Sequence, residues 1–273
     1  MLRSEATSTT DAPGVPATAG IAGAALAVED LRRHFGGVYA VDGASFTVEA
    51  GSITSVIGPN GAGKSTVVGI VGGAIKPNQG SVRLDGEDIT GLPPHARAHR
   101  GLVRTYQLSS EFGRLTVLEN LLVAAPGQRG ERWRTLLLGK RYWREQEQEL
   151  VVRARALMER FGMSEKENEY AGRLSGGQKR LVEIMRALMA GPKLLLLDEP
   201  MAGVNPTLAR SIEDDLVALA REGLTLMIVE HELEVVERMS DNVVAMALGK
   251  VIATGTMAEL RARREVLDAY LGE

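Results

Sequence analysis

Gly58-Pro59-Asn60-Gly61-Ala62-Gly63-Lys64-Ser65-Thr66 decides how this 273-residue chain is read. The stretch contains G-x-x-x-x-G-K-S and lies between Ser52 to Ile57, which reads as a strand, and Lys64 to Val71, which reads as a helix. Glycines at this spacing let successive backbone N–H groups wrap a polyphosphate, and the helix N-terminus adds its positive end. Asn60, Gly61, Ala62 and Gly63 form the cradle, Lys64 reaches the β and γ groups, and Ser65, followed by Thr66, offers a hydroxyl to Mg²⁺. An ordinary Gly-rich turn is the bland alternative. The strand-then-helix context makes it the poorer one.

Outward from this loop, the next informative stretch is Leu194-Leu195-Leu196-Leu197-Asp198-Glu199-Pro200. An apolar run ending in two acids is what a central strand looks like when its C-terminal end delivers carboxylates to a phosphate site. Asp198 is placed to hold Mg²⁺ through water, and Glu199 to orient or deprotonate an attacking water. A lone Asp-Glu pair could equally be solvated acids at a strand end; beside the glycine loop that reading loses ground.

The rest of the chain alternates in the same way. Leu26 to Leu31, Ala44 to Val48 and Ser52 to Ile57 read as strands separated by Gly36-Gly37, Asp42-Gly43 and Ala50-Gly51 as turns. Pro77 to Gly80 reads as a turn, Ser81 to Leu84 as a strand and Asp85-Gly86 as another turn. From Leu92 to about Gly191 the pattern is predominantly helical, with Pro93 to His99, Thr116 to Ala124, Tyr142 to Phe161 and Ser175 to Ala190 near a 3.6 period. Then Leu194 to Leu197, Thr225 to Val229 and Val243 to Ala247 alternate with helical Thr207 to Ala220 and Glu232 to Met239, the rhythm of a parallel sheet. A two-lobed α/β architecture with a helical insert follows. Residues 1–24, rich in Ala, Thr, Ser, Pro and Gly, read as a disordered tail.

Composition removes several classes of function. No Cys is present, so disulfides, Cys-ligated zinc, Fe–S clusters and a thiol nucleophile are excluded, and His34, His95, His99 and His231 are too scattered to suggest a His-built metal site. The formal charge is -3 and the pI ≈ 5.9, without the basic footprint of a phosphate-neutralising nucleic-acid binder. Apolar runs such as Leu194 to Leu197 and Val243 to Leu248 fall far short of the roughly 18 residues needed to span a bilayer. Gly20 to Val28 is mostly Ala and Gly, and Glu5 and Asp11 precede it, so it does not read as a signal peptide.

Between the two phosphate-site stretches stands Leu174-Ser175-Gly176-Gly177-Gln178, at the start of a helical run. Here the sequence resembles the ATP-binding cassette (ABC) ATPases, whose signature is LSGGQ. Ser175 followed by glycines is also how an ordinary helix cap begins. The resemblance implies a P-loop nucleotide-hydrolase core with a β subdomain and an inserted helical subdomain over about 108–190, the cassette spanning 25–273. It implies ATP and Mg²⁺ as ligands. Phe35 matches the aromatic that stacks on adenine, Gln107 the glutamine that touches Mg²⁺ and water, and His231 the histidine that contacts the γ-phosphate. Two cassettes of this family pair head-to-tail, so Ser175, Gly176, Gly177 and Gln178 of one chain would close the ATP held by Lys64, Ser65 and Asp198 of the other, with Glu199 driving hydrolysis.

The likeness is greatest to the ATPases of branched-chain amino acid importers, through Val103-Arg-Thr-Tyr-Gln107, Leu115 to Leu121, Met201-Ala-Gly-Val-Asn-Pro206, Val229 to Glu234 and Asp268 to Gly272. It implies multi-span membrane permease subunits, a second ATPase chain and, indirectly, a solute-binding protein as partners, no nucleic acid, and a peripheral place on the cytoplasmic face of the plasma membrane. Urea or short amides are variant solutes within that branch. Ala202 and Asn205 depart from the wider family, which has Ser and Asp there. A cassette ATPase acting on ribosomes or nucleic acid is the alternative, against which the short interval from Gln107 to Leu174 argues. Pro126 to Arg144 sets six basic residues and both tryptophans against the single Glu131. That composition fits a solvated amphipathic hairpin, contact with an anionic leaflet or membrane partner, or, least well, nucleic acid.

Overall fold

Four consecutive leucines need apolar surroundings on both faces, and they have them. Leu194 and Leu196 pack into one core cluster and Leu195 and Leu197 into another, as alternate side chains of a doubly covered strand must. In the computed structural model, residues 22–105, 112–126 and 140–271 are described. In chain order the elements are β1 (Leu26–Phe35), β2 (Val38–Val48), β3 (Ile53–Ile57), α1 (Lys64–Val71), β4 (Gln79–Leu84), β5 (Glu87–Asp88), α2 (Pro94–Ala98), β6 (Leu102–Arg104), α3 (Val117–Val123) and α4 (Lys140–Arg160). There follow α5 (Gly176–Met189), β7 (Leu194–Asp198), α6 (Pro206–Arg221), β8 (Thr225–Val229), α7 (Leu233–Met239), β9 (Asn242–Ala247), β10 (Lys250–Gly255), α8 (Met257–Arg261) and α9 (Arg264–Leu271).

Two sheets result. The larger has the order β10-β9-β3-β8-β7-β6, parallel throughout except for β10 against β9. The smaller, β2-β1-β4-β5, is antiparallel. Helix α1 is packed between them: Val67, Val68, Ile70 and Val71 share a cluster with Leu26, Leu31 and Phe46 of the small sheet and with Val56, Met227 and Val244 of the large one. On the other face of the large sheet, Leu121 of α3, Leu157 of α4, Leu181 of α5 and Leu216 of α6 bury Leu195 and Leu197. Helix α3 starts where Thr116 and Glu119 form a reciprocal capping box.

The far end of α1 is closed by an unusual cap. Arg97 is 1% exposed, yet all its hydrogen bonds are to backbone carbonyls: Ile70 (2.8 Å) and Val71 (2.6 Å) at the end of α1, Thr90 (2.8 Å) and Leu92 (3.0 Å) in the following chain. Burial lowers its pKa to about 10, which leaves it charged at neutral pH. Gly73 makes room for it, since at its φ of +80° a Cβ would stand 2.8 Å from Arg97 Nε.

Several expectations need correction. Asp42-Gly43 is not a turn but part of β2, where Gly43 (φ +81°) is the extra residue between the pairs Leu31–Ala44 and Arg32–Asp42. Asp-Gly serves a glycine bulge as well as a hairpin. Of the expected turn at Pro77 to Gly80, the last two residues belong to β4. The block read as helical from Leu92 to Gly191 contains β6, whose three residues are too few to display a period. Of the expected tail at 1–24, only 22–24 lie within the described residues, and there Ala24 is already fully buried. Of the basic stretch at 126–144, 127–139 lie outside them, as do the side chains of 140–145.

The hairpin between β9 and β10 turns on Leu248-Gly249, with φ of +48° and +79°. Both central residues of such a turn need positive φ, which is why Asn-Gly is the usual pair. Leu248 is 88% exposed, so its side chain offers no packing in return. Replacing Leu248 by Asn is expected to stabilise the chain by about 1 kcal/mol, visible as a rise of roughly 2–4 °C in thermal unfolding. An unchanged or lower Tm would contradict the strain assigned to this turn.

Candidate active site

β3, β8 and β7 are parallel neighbours, and their register places Val56 beside Val229 and Val229 beside Asp198. The segments that follow them therefore emerge at one edge of the sheet: Gly58 to Gly63, Glu230-His231 and Glu199-Pro200. Crevices at the C-terminal ends of parallel strands are where α/β folds bind ligands. The loop after β3 is built by close approach. A Cβ on Gly58 would come 2.2 Å from the Met246 carbonyl oxygen, and one on Gly63 (φ +100°) 2.4 Å from that of Ala40. Ala62 is buried, and its carbonyl accepts from Gly249 N at 3.0 Å. No side chain caps α1, whose start at Lys64 turns the positive end of the helix toward the loop. The Lys64 ammonium, 6% exposed, donates to the carbonyls of Gly58 (2.6 Å) and Pro59 (2.9 Å), folding over the loop it would serve. Asn60 and Gly61 are exposed at the loop's crest.

Asp198, at the end of β7, is buried, and its carboxylate pairs with the Arg104 guanidinium at 3.1 Å. A hydroxyl at Ser65 and a carboxylate at Asp198 are hard oxygen donors, which fit a Mg²⁺ that keeps few protein ligands and arrives with phosphates. Such an ion must compete with Arg104 for Asp198. The next residue, Glu199, has left-handed backbone (φ +49°), rare for a non-glycine and typical of functional positions. Its N–H donates to the Val229 carbonyl at 2.9 Å, and its Oε1 lies within hydrogen-bond distance, 2.5 Å, of His231 Nε2.

Ser175, Gly176, Gly177 and Gln178 do open a helix. Ser175 Oγ accepts from Gln178 N and Gln178 Oε1 from Ser175 N, so the capped start and the LSGGQ motif coincide in the same atoms. Gly177 of this quartet lies against α6, where a Cβ on it would be 2.8 Å from Leu208 Cδ2. Asn205 caps α6 by accepting from Leu208 N, a task that Asn performs as well as Asp.

Phe35 is 49% exposed on the β1–β2 hairpin, with the Arg33 guanidinium 4.5 Å from its ring centre. That hairpin is fixed to the phosphate loop through the Ala40 contact with Gly63 and by way of Gly249, whose carbonyl accepts from Asp42 N and whose N–H donates to the Ala62 carbonyl. Tyr39, also exposed and one residue from Ala40, is a second ring here that the sequence reading passed over. Gln107 lies outside the described residues; the last described step toward it is Thr105 N donating to the Leu196 carbonyl.

A loop and a strand end of this kind invite comparison with known proteins. Residues 41–202 match the family model described as ABC transporter, and residues 250–273 match that of the branched-chain amino acid ATP-binding cassette transporter. This chain belongs to the ABC transporter family. The cassette is 40% identical over 247 residues to the "Probable branched-chain amino acid transport ATP-binding protein LivG" of Archaeoglobus fulgidus, covering 90% of this chain and 95% of the relative. It is also 40% identical over 253 residues to the "High-affinity branched-chain amino acid transport ATP-binding protein BraF" of Pseudomonas aeruginosa, covering 91% and 98%. A crystal structure of the ADP conformation of an ATP-binding cassette superposes with a TM-score of 0.79 at 38% identity, over 92% of this chain and 99% of that one. The α/β fold is thus that of an ABC ATPase. Among the described residues, no helix is long and apolar enough to cross a membrane.

One site residue of the cassette had no signal in the sequence. Glu230 is 5% exposed and accepts from the backbone N–H groups of Met201 and His231, both at 3.3 Å, bridging the segment after β7 to the segment after β8. Burial pushes its pKa up to about 7, the two N–H bonds pull against this, and Glu232 and Glu199 add to the rise. Between pH 4.5 and 7 the folded chain therefore holds a proton that the unfolded chain has released, so stability falls as pH rises through that window, by about 3 kcal/mol at most. Glu230→Gln, neutral throughout, is expected to lose this fall. Urea unfolding at pH 5 and pH 8 tests it: parallel changes in the two proteins would refute the assignment.

Proposed function

We propose that this chain is the ATP-binding and ATP-hydrolysing subunit of an ABC importer for branched-chain or related amino acids. The observation that carries the reading is Glu199 in left-handed backbone, bonded to His231, at the sheet edge where the phosphate loop emerges. In this reading the amides of Asn60 to Thr66 and the Lys64 ammonium hold the phosphates, and Phe35 stacks on adenine. Ser65, Asp198 and Gln107 would hold Mg²⁺, which would supply positive charge against the phosphate oxygens. Glu199 accepts a proton from water as the water oxygen bonds to the γ-phosphorus and the bond to the ADP oxygen breaks. His231 fixes the Glu199 carboxylate and lies beside the γ-phosphate.

Two cassettes close head-to-tail, Ser175 to Gln178 of each meeting the ATP of the other. The helical block of about 108–190 faces multi-span permease subunits, and the chain sits at the cytoplasmic face of the membrane. The match over 250–273 and the names of the relatives support transport over an ATPase of ribosomes or nucleic acid. Uptake of labelled leucine and of labelled urea by the native host carrying Lys64→Ala is the test. Loss of leucine uptake alone is expected; loss of urea uptake alone would overturn the solute class, and loss of neither would overturn transport.

A further inference from the structure

The catalytic segment after β7 is held from a direction that hydrolysis itself does not require. Arg180 of α5 is buried, and its guanidinium reaches the two carbonyls that flank Glu199: Nη2 donates to the Asp198 oxygen at 2.6 Å and Nε to the Pro200 oxygen at 3.2 Å. Nη1 donates to Glu183 Oε2 at 2.5 Å, one turn along the same helix, so the fork is aimed by a buried carboxylate. A second contact runs beside it, where Gly177 lies against Val204, in the stretch that leads from Glu199 to α6, and against Leu208 in the first turn of α6. Helix α5 therefore touches the segment carrying Glu199 at two points. Its own N-cap is Ser175, the start of the signature.

We propose that Arg180 is the positioning residue that ties the signature to Glu199 of the same chain, so that each ATP site in a closed pair reads the state of the other. The inference rests on the head-to-tail reading given above. When Ser175 and Gly177 engage phosphate bound to the partner, any displacement of α5 is delivered by a rigid planar fork to the backbone on both sides of Glu199. That backbone sits in an uncommon conformation, so it has another arrangement to fall into when the strut is released. With the partner site empty, Glu199 is then left out of line for water activation. The hydrolytic competence of one site depends on occupancy of the other, while ATP affinity does not.

The test uses the full-length chain with Arg180→Met and Arg180→Lys, each also combined with Glu199→Gln. ATP affinity by equilibrium dialysis, ATP-driven dimer formation in the Glu199→Gln background, kcat, KM and the Hill coefficient are measured. Arg180→Met is expected to keep affinity, KM and the closed dimer while kcat falls roughly 10- to 100-fold and cooperativity drops to that of independent sites. Arg180→Lys, which keeps the charge but not the fork, should recover part of kcat. Unchanged kcat and cooperativity in Arg180→Met would overturn the proposal. So would equal losses of affinity, closure and kcat, which mark a purely structural role. Should Arg180→Met not fold, Arg180→Lys decides: wild-type kcat with wild-type cooperativity refutes the strut. If Glu199→Gln alone retains turnover, the proposed function fails instead, whatever Arg180 does.

Discussion

Glu199→Gln is expected to bind ATP as the parent chain does, to hydrolyse it roughly a hundred- to ten-thousand-fold more slowly, and to accumulate as a closed ATP-bound pair. The amide cannot take a proton from water, whereas the phosphate loop, its uncapped helix start and Lys64 are untouched. The substitution also changes the bond to His231: an amide oxygen still accepts from Nε2–H, so the side chain stays near its place. A binding isotherm, a phosphate-release assay and gel filtration with and without ATP check the three parts separately. Near-normal turnover would remove Glu199 from its role. Membranes of the native host solubilised with ATP and this variant should further yield multi-span permease subunits by mass spectrometry; ribosomal proteins in their place would reverse the assignment to transport.

The largest effect on stability is expected at Arg97. Arg97→Met fills a similar volume but withdraws four hydrogen bonds from the carbonyls of Ile70, Val71, Thr90 and Leu92. Leaving buried acceptors without partners costs about 1–3 kcal/mol each. Some acceptors have a second donor, as Ile70 does in Gly73 N, and the cost of burying the guanidinium is relieved. A net loss of about 4 kcal/mol is expected, seen as a lower urea midpoint and a Tm lower by roughly 10 °C. Arg97→Lys should recover only part of it, because a compact ammonium cannot reach four carbonyls arranged around a planar fork. A Met variant within about 1 kcal/mol of the parent would mean that desolvation cancels the bonds.

What sequence alone reveals follows from how local the cause is. The phosphate loop was legible because its glycines, lysine and serine act within one turn of chain. The capped start at Ser175 and the buried run Leu194 to Leu197 were legible for the same reason. Strand β6 was not, since three residues at a sheet edge carry no period of their own. In the C-terminal stretch the local signal is slight: Thr256 with Glu259 at the start of α8 is a capping pair, while β10 carries no clean alternation. Asp42-Gly43 misled because one dipeptide serves two backbone geometries. Glu230, Arg104 and Arg180 were silent because their partners lie tens of residues away, and nothing local tells a carboxylate or guanidinium on a surface from one that braces a catalytic backbone.

Ser175 and Gln178 satisfy each other's backbone amides in the chain by itself. In the proposed closed pair, engagement with a partner's phosphate would exchange bonds already made for new ones, so the gain on closing would be a difference and stay modest. A latch built in this way would hold only while every oxygen of the triphosphate is in place. On loss of the γ-phosphate the helix would return to its private cap without a barrier of unmet donors, and the pair would part readily.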